Sequence, residues 1–382
     1  MTTQYKINNI PFEDYFIRRD LFSSGGLWTI GRNSYGMLGD NGTSHKSSPV
    51  QIYGEGTNWK SVAAGNLHSA AIKTDGTLWL WGHNTDGQLG DNSITSRSSP
   101  VQIYGGGTNW KSVSGGYYHT AAIKNDGTLW TWGYNAYGQL GDNSITSMSS
   151  PVQIYGGDTN WKHISCGRNH AAAIKTDGTL WTWGRNNDGQ LGDNSRTSRS
   201  SPVQIYGGGA NWKLLSCGHY YIAAIKDDGT VWAWGQNSNG QLGDNSITHR
   251  SSPVQTTAGG TNWKHISCGR YHSAAIKTDG TLWTWGHNLD GQLGDNSITN
   301  RSSPIQNVAG GTNWKLINCG GYHSAAIKTD GTLWAWGQNF YGQLGDNSTT
   351  HRSSPVQTIA GGTNWNSINC GTFSTAAIKD NF

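Results

Sequence analysis

A period of 51 residues runs through this 382-residue chain without insertion or deletion, and it limits the fold more than any other feature. The first tryptophan of an LWTWG-like segment falls at Trp28, Trp79, Trp130, Trp181, Trp232, Trp283 and Trp334. A second series, in an NW dipeptide, falls at Trp59, Trp110, Trp161, Trp212, Trp263, Trp314 and Trp365. The second tryptophan of LWTWG (Trp81, Trp132, Trp183, Trp234, Trp285 and Trp336, with Ile30 in the first copy) completes the twenty in the chain. A fixed period of this order marks an array whose single unit cannot bury its own apolar face and must stack on its neighbours.

Each unit carries four short strand signals, typified by residues 161–165, 171–175, 179–184 and 151–154, bounded by Gly, Asn, Asp or Ser. Asp-Gly between the second and third, as at Asp75-Gly76 and Asp177-Gly178, is a tight hairpin signal, because both central positions of a type I′ turn take positive φ. Proline in the fourth (Pro49, Pro100, Pro151, Pro202, Pro253, Pro304 and Pro355) suits an outer edge strand. The tryptophans of LWTWG are spaced i, i+2, so both rings leave one face of the strand and are expected to pack between units. The last copy has only the first two strands and the first copy only the last two, so the ends make one unit between them. The expected fold is all-β: a seven-bladed β-propeller of four-stranded antiparallel blades over 27–382, closed by the two chain ends. Residues 1–26 stand outside the repeat as an arm.

Charged residues make up 13% of the chain, glycine occurs 55 times and no long apolar run occurs, which argues against disorder and against a membrane span. A net charge of +4 over this length gives no dense basic patch, so nucleic acid is not indicated. The N-terminus lacks an apolar segment after a basic start, and the expectation is synthesis in the cytoplasm.

Val62-Ala63-Ala64-Gly65-x-x-His68-Ser69-Ala70-x-Ile72 and Ile266-Ser267-Cys268-Gly269-x-x-His272-Ser273-Ala274-x-Ile276, with the DGTLWTWG and NxxGQLGD strings, resemble the repeat signature of the RCC1 (regulator of chromosome condensation) family. The resemblance covers about residues 27 to 380 and implies a seven-bladed propeller. It leaves function open, since such repeats occur in a nuclear nucleotide-exchange factor, ubiquitin-ligase and trafficking proteins, bacterial enzyme inhibitors and phage proteins. The exchange-factor reading is disfavoured because every repeat has the same length and none carries an inserted β-wing. The texture of the repeats is closest to bacterial and phage members.

No set of nucleophile, base and orienting residue stands apart from the repeat, so no catalytic site, cofactor or metal is expected. Cys166, Cys217, Cys268, Cys319 and Cys370 occupy one repeat position with Ala64 and Gly115, which reads as a small residue near the axis. His68, His119, His170, His272 and His323 share a position with Tyr221 and Ser374 and read as hydrogen-bonding groups to a neighbouring loop. Lys46, Arg97, Arg199, Arg250, Arg301 and Arg352 form a basic series that reads equally as a solvated rim or as a binding edge.

Differences between copies are expected on one face, in the loops after the first and third strands. There Tyr117, Tyr118, Tyr134, Tyr137, Arg168, Arg185, His219, Tyr220, Arg270, Tyr271, Tyr322, Phe340, Tyr341 and Phe373 make a mix typical of recognition surfaces. In the arm, Phe12, Tyr15 and Phe16 have helical spacing after Pro11 and, with Phe22, suit an anchoring segment. The function expected is a non-enzymatic recognition or structural propeller, part of a larger assembly such as a phage virion or bacterial surface, binding a protein partner through the loop face. A protein inhibitor or regulator of an enzyme, using the same face, is the alternative, and a glycan-binding propeller a third reading.

Overall fold

The computed structural model describes residues 25–54 and 56–380; the arm, with Phe12, Tyr15, Phe16 and Phe22, lies outside the described residues. Among the described residues, twenty-eight strands, β1–β28, form seven four-stranded antiparallel blades around an axis. One blade serves for all. Its strands are β11 (Trp161–Cys166) at the axis, then β12 (His170–Lys175), β13 (Leu180–Gly184) and, outermost, β14 (Arg199–Gln204). The proline-bearing strand is the rim, as its missing N–H requires. The Asp-Gly turns are tight but are not the expected type I′ form, because only the glycine takes positive φ. The N–H of Gly76 donates to Lys73 O at 3.0 Å, Gly76 has φ +80° and Asp75 does not have positive φ, and a Cβ on Gly76 would lie 2.1 Å from the carbonyl oxygen of Thr108.

The seventh blade is built from both ends of the chain. β27 (Trp365–Cys370) and β28 (Ser374–Asp380) supply its inner half, β1 (Gly25–Gly31) and β2 (Lys46–Gln51) its outer half, and β1 pairs β28 from Gly25↔Asp380 to Gly31↔Ser374.

Between blades the core is built around the second tryptophan of LWTWG. Trp81, Trp132, Trp183, Trp234, Trp285 and Trp336 are fully buried, each edge-on to an NW tryptophan with centroids 6.0–6.5 Å apart. Each indole N–H donates to a carbonyl of the preceding blade, Trp183 Nε1 to Gln139 O at 3.0 Å. The first tryptophan of LWTWG is only half-buried. Except at Trp28, where Gly26 replaces the threonine, its N–H is held by a threonine hydroxyl and a lysine lies over its ring and the NW ring, as Lys175 does over Trp181 (4.4 Å) and Trp161 (4.9 Å). Same-side spacing puts both rings between blades, but the first reaches the blade's edge, where its polar N–H stays close to water. Trp183→Ala should therefore destabilise the protein by about 3–5 kcal/mol. An unchanged denaturant midpoint for that variant would contradict this packing.

The histidine series contacts the next blade's second strand rather than a loop. His68, His272 and His323 bond through Nε2 to Thr120, Ser324 and Thr375, 52 residues on, at 2.8–2.9 Å. Where that position is Ala171 or Ile222, the facing imidazoles, His119 and His170, have no partner on either nitrogen. The Tyr221 hydroxyl donates to the backbone carbonyl oxygen of His272 and lies 3.0 Å from Ser273 Oγ, the side chain 52 residues on, so tyrosine keeps the contact with the next blade's second strand.

The basic series is a rim structure. Arg97, Arg199, Arg250, Arg301 and Arg352 pair with Asp91, Asp193, Asp244, Asp295 and Asp346 at 2.8–3.2 Å, and Lys46 reaches Asp40 at 3.6 Å. Each pair staples one loop to the start of its own outer strand, which favours the structural reading of that series over the binding one.

Candidate interaction face

The loops after the first and third strands of each blade lie together at one end of the ring, joined by backbone bonds such as Tyr134 N to Tyr118 O (2.9 Å) and Arg185 N to Asn169 O (2.8 Å). The long loop folds around a buried asparagine. Asn186 accepts from the N–H of Leu191 (2.9 Å) and donates to Asp193 (3.0 Å), and the equivalent Asn84, Asn135, Asn237, Asn288 and Asn339 do the same. These rigid loops hold the variable side chains in fixed positions.

Those side chains form one connected aromatic belt. Starting at Tyr35, ring contacts of 4.4–6.4 Å run through His83, Tyr118, Tyr117, His219, Tyr271, His287, Tyr322 and Phe373 to Tyr341 and His45. Tyr134 joins it beside Tyr118 and carries Tyr137 outward. Burial pushes the Tyr118 phenol up to about 12, with Tyr117 adding to the effect. Four guanidinium groups are threaded into the belt. Arg168 lies over Tyr117 and Tyr220, Arg185 over Tyr220 and Tyr137, Arg270 over Tyr271 and Tyr322, and Arg32 over Phe373 and Tyr341, all within 4.6–5.8 Å. Arg168 also donates to the Tyr220 hydroxyl. Stacking of this kind fixes the plane of an arginine fork while its edge donates, as that of Arg168 does to Tyr220.

The structure therefore gathers Tyr117, Tyr118, Tyr134, Tyr137, Arg168, Arg185, His219, Tyr220, Arg270, Tyr271, Tyr322, Tyr341 and Phe373 into one surface. Phe340 stands apart, exposed (64%) at the outer edge against His351. His219 is buried at the centre. Tyr35, His83, His287 and Arg32 complete the belt; Arg32 could have been found from its chain position, which matches that of Arg185.

A second patterned surface lies at the opposite end. Tyr53, Tyr104, Tyr155 and Tyr206, on four successive blades, are 58–61% exposed, and Thr257, Val308 and Ile359 take their place in the other three. Their 51-residue spacing was visible in the sequence, but a run of identical residues reads as part of the repeat. The difference between copies is therefore not confined to one face.

Along the axis the thiols of the five cysteines are free and buried, and burial pushes those of Cys166 and Cys370 up to about 12. The N–H of four of them is held by a serine of the preceding blade, as Cys217 N is by Ser165 Oγ at 3.0 Å. Asn318 serves Cys370 in the same way, and Asn369 carries the pattern across the chain ends to the N–H of Ala64 at 2.9 Å. No described helix is long and apolar enough to cross a membrane.

The profile of the RCC1-like domain matches residues 21–211, and that of the RCC1 repeat matches 228–276, 279–327 and 330–378. The ultraviolet-B receptor UVR8 of Arabidopsis thaliana is 32% identical over 302 residues, covering 78% of this chain and 69% of the relative. The mitochondrial RCC1 domain-containing protein RUG3 of the same plant is 32% identical over 80% of this chain and 71% of its own length. Among solved structures, yeast RCC1 (Prp20), bound to Kap60, superposes with TM-score 0.83 at 19% identity, over 100% of this chain and 95% of that one. The repeat spacing, the blade topology and these matches agree: the chain belongs to the RCC1 family of seven-bladed propellers.

Proposed function

We propose that this protein is a non-enzymatic recognition module that binds a protein partner through the aromatic loop face. The observation that carries the reading is the belt itself. Large rings held by rigid loops and interleaved with stacked arginines provide contact area at little entropic cost, and Tyr and Arg are enriched at the centres of protein interfaces. Relatives fit this reading: yeast RCC1 has been solved bound to Kap60, and one Caenorhabditis elegans relative is named a GTPase regulator homolog. The expectation of a phage or bacterial-surface assembly rests on repeat texture alone and adds nothing to this reading.

The test is capture of the native partner followed by titration. Tyr134→Ala, Tyr137→Ala and Phe340→Ala together remove rings that lie at the outer part of the face. At about 1–2 kcal/mol each, their loss should weaken the partner by about a hundredfold or more while the melting temperature holds. Undiminished binding would place the interface elsewhere, with the tyrosine arc of the opposite end as the next surface to test.

A further inference from the structure

At one repeat position on three adjacent blades stand Arg168, His219 and Arg270. They line a cavity of about 100 Å³ at the mouth of the axis. His219 is only 8% exposed, and neither of its ring nitrogens has a hydrogen-bond partner. The Nε atoms of Arg168 and Arg270 are likewise buried and unpartnered. Unmet donors of this kind are rare inside proteins and call for an explanation. The nearby carboxylates do not supply one: Asp188 is engaged by Arg185 (3.8 Å) and His249 (3.6 Å), and Asp290 by His351 (3.4 Å). Among the described residues neither Arg168 nor Arg270 forms an ion pair with Asp86 or any other carboxylate.

We propose that this mouth is an anion site that receives one carboxylate, the side chain of an aspartate or glutamate, from the protein bound on the loop face. The inference rests on the loop-face reading and names the chemistry at its centre. Each guanidinium is clamped between tyrosine rings, Arg168 at 4.8 and 5.4 Å and Arg270 at 5.0 Å from both of its rings, so its fork is oriented before a ligand arrives. Planar forks match a planar carboxylate, and charge-assisted bonds of this type are the strong ones. Burial first, and then the charges of Arg270, Arg168, His170 and Arg185, hold His219 neutral, at about 2. A neutral ring has one N–H to donate and adds no charge that must be desolvated. A single acidic side chain suits the site better than a nucleic acid, because the rim arginines that could track a phosphate backbone are each paired to an aspartate.

The experiment is calorimetric titration of the full chain at low ionic strength with a tetraglutamate peptide, a tetraglutamine peptide, inorganic phosphate and duplex DNA. Tetraglutamate should bind and tetraglutamine should not. Arg168→Gln and Arg270→Gln should each weaken tetraglutamate by about tenfold, the loss of one charge-assisted bond. His219→Phe, which keeps the buried ring and removes both nitrogens, should weaken it as well, while Arg97→Gln at the rim should not. Failure of tetraglutamate to bind, or equal binding by the Arg→Gln variants at unchanged melting temperature, overturns the inference. So does phosphate or DNA binding as tightly as the peptide. If the arginine variants keep the native partner while the Tyr134, Tyr137 and Phe340 variant loses it, the acidic-ligand inference falls and the loop face stands. If tetraglutamate binds as expected but the tyrosine variant keeps its partner, the anion site stands and the loop-face reading falls.

Discussion

Lowering the pH from 7 to 5.5 should cost this protein several kcal/mol of stability, well before its carboxylates titrate. His68, His119, His170, His272 and His323 are wholly buried, and burial pushes each of them down to about 3. The geometry explains the direction. The Thr120 hydroxyl gives its proton to the Gln88 carbonyl oxygen (2.8 Å), so His68 Nε2 must be the donor to it, and Nδ1 faces no partner. A second proton would place a charge where nothing can solvate it. In the unfolded chain the same imidazoles titrate near 6.5. Between about 6.5 and 3 the unfolded state therefore binds more protons than the folded one, and stability falls as pH falls. Each histidine contributes about 1.4 kcal/mol per pH unit within that window, and five act together. Stability is fully present above 6.5. Urea unfolding at pH 7 and 5.5 measures the difference, and equal midpoints would refute the account. His272→Tyr, which copies the residue at Tyr221, should fold and lower the pH slope by one histidine's share.

The same histidines show where sequence reading stops. Their series, and the fact that Tyr and Ser substitute in it, was plain at the 51-residue period. Their partners lie 52 residues on, and that single extra residue has meaning only once the blades are placed in order and the strands in register. With the register known, the sequence explains which imidazoles are bonded: Thr120, Ser324 and Thr375 stand where Ala171 and Ile222 stand opposite the orphaned ones. The propeller itself was legible because tryptophan spacing, turn chemistry and edge prolines all point to one architecture. The rim basic series was ambiguous for a different reason. Arg97 and Asp91 are six residues apart in a loop with no regular period, so no face could be assigned to them before the loop's shape was known. At the candidate site the aromatic residues were found from the difference between copies. That Arg168, His219 and Arg270 stand on adjacent blades follows from the period; what could not be read was that His219 is buried between them with neither ring nitrogen bonded, since that depends on how the loops close over the axis.

Removing β27 and β28, by ending the chain at residue 364, should abolish cooperative folding of the whole ring rather than fray one blade. In an open repeat array the loss of a terminal unit breaks one interface. Here the missing strands belong to the blade that closes the circle, so two interfaces open. On one side Leu27, Ile52 and Trp59 lose the cover of Ala376 and Ile378; on the other Leu344 and Ala335 lose Trp365 and Ile368. At about 1.5–3 kcal/mol for each large apolar side chain returned to water, the loss is on the order of 10 kcal/mol, which equals the net stability of a typical domain. The bond from Ala64 N to Asn369 and the seven pairs between β1 and β28 go with it. Near-ultraviolet circular dichroism of the tryptophans, with a thermal scan, reads the outcome. Truncation alone would confound lost sequence with lost closure, and a circular permutant separates them. Gly25 and Asp380 are paired neighbours, so a flexible linker can join Asp380 to Gly25 in a chain of residues 25–380 reopened at 206–210, a connection outside any strand. Such a permutant keeps every strand and every interface and moves the break to a place where no blade is split. It should melt cooperatively and close to the parent chain. If it instead melts far below the parent while the truncated chain retains a cooperative transition, then the split blade matters through its strand order and not through closing the ring.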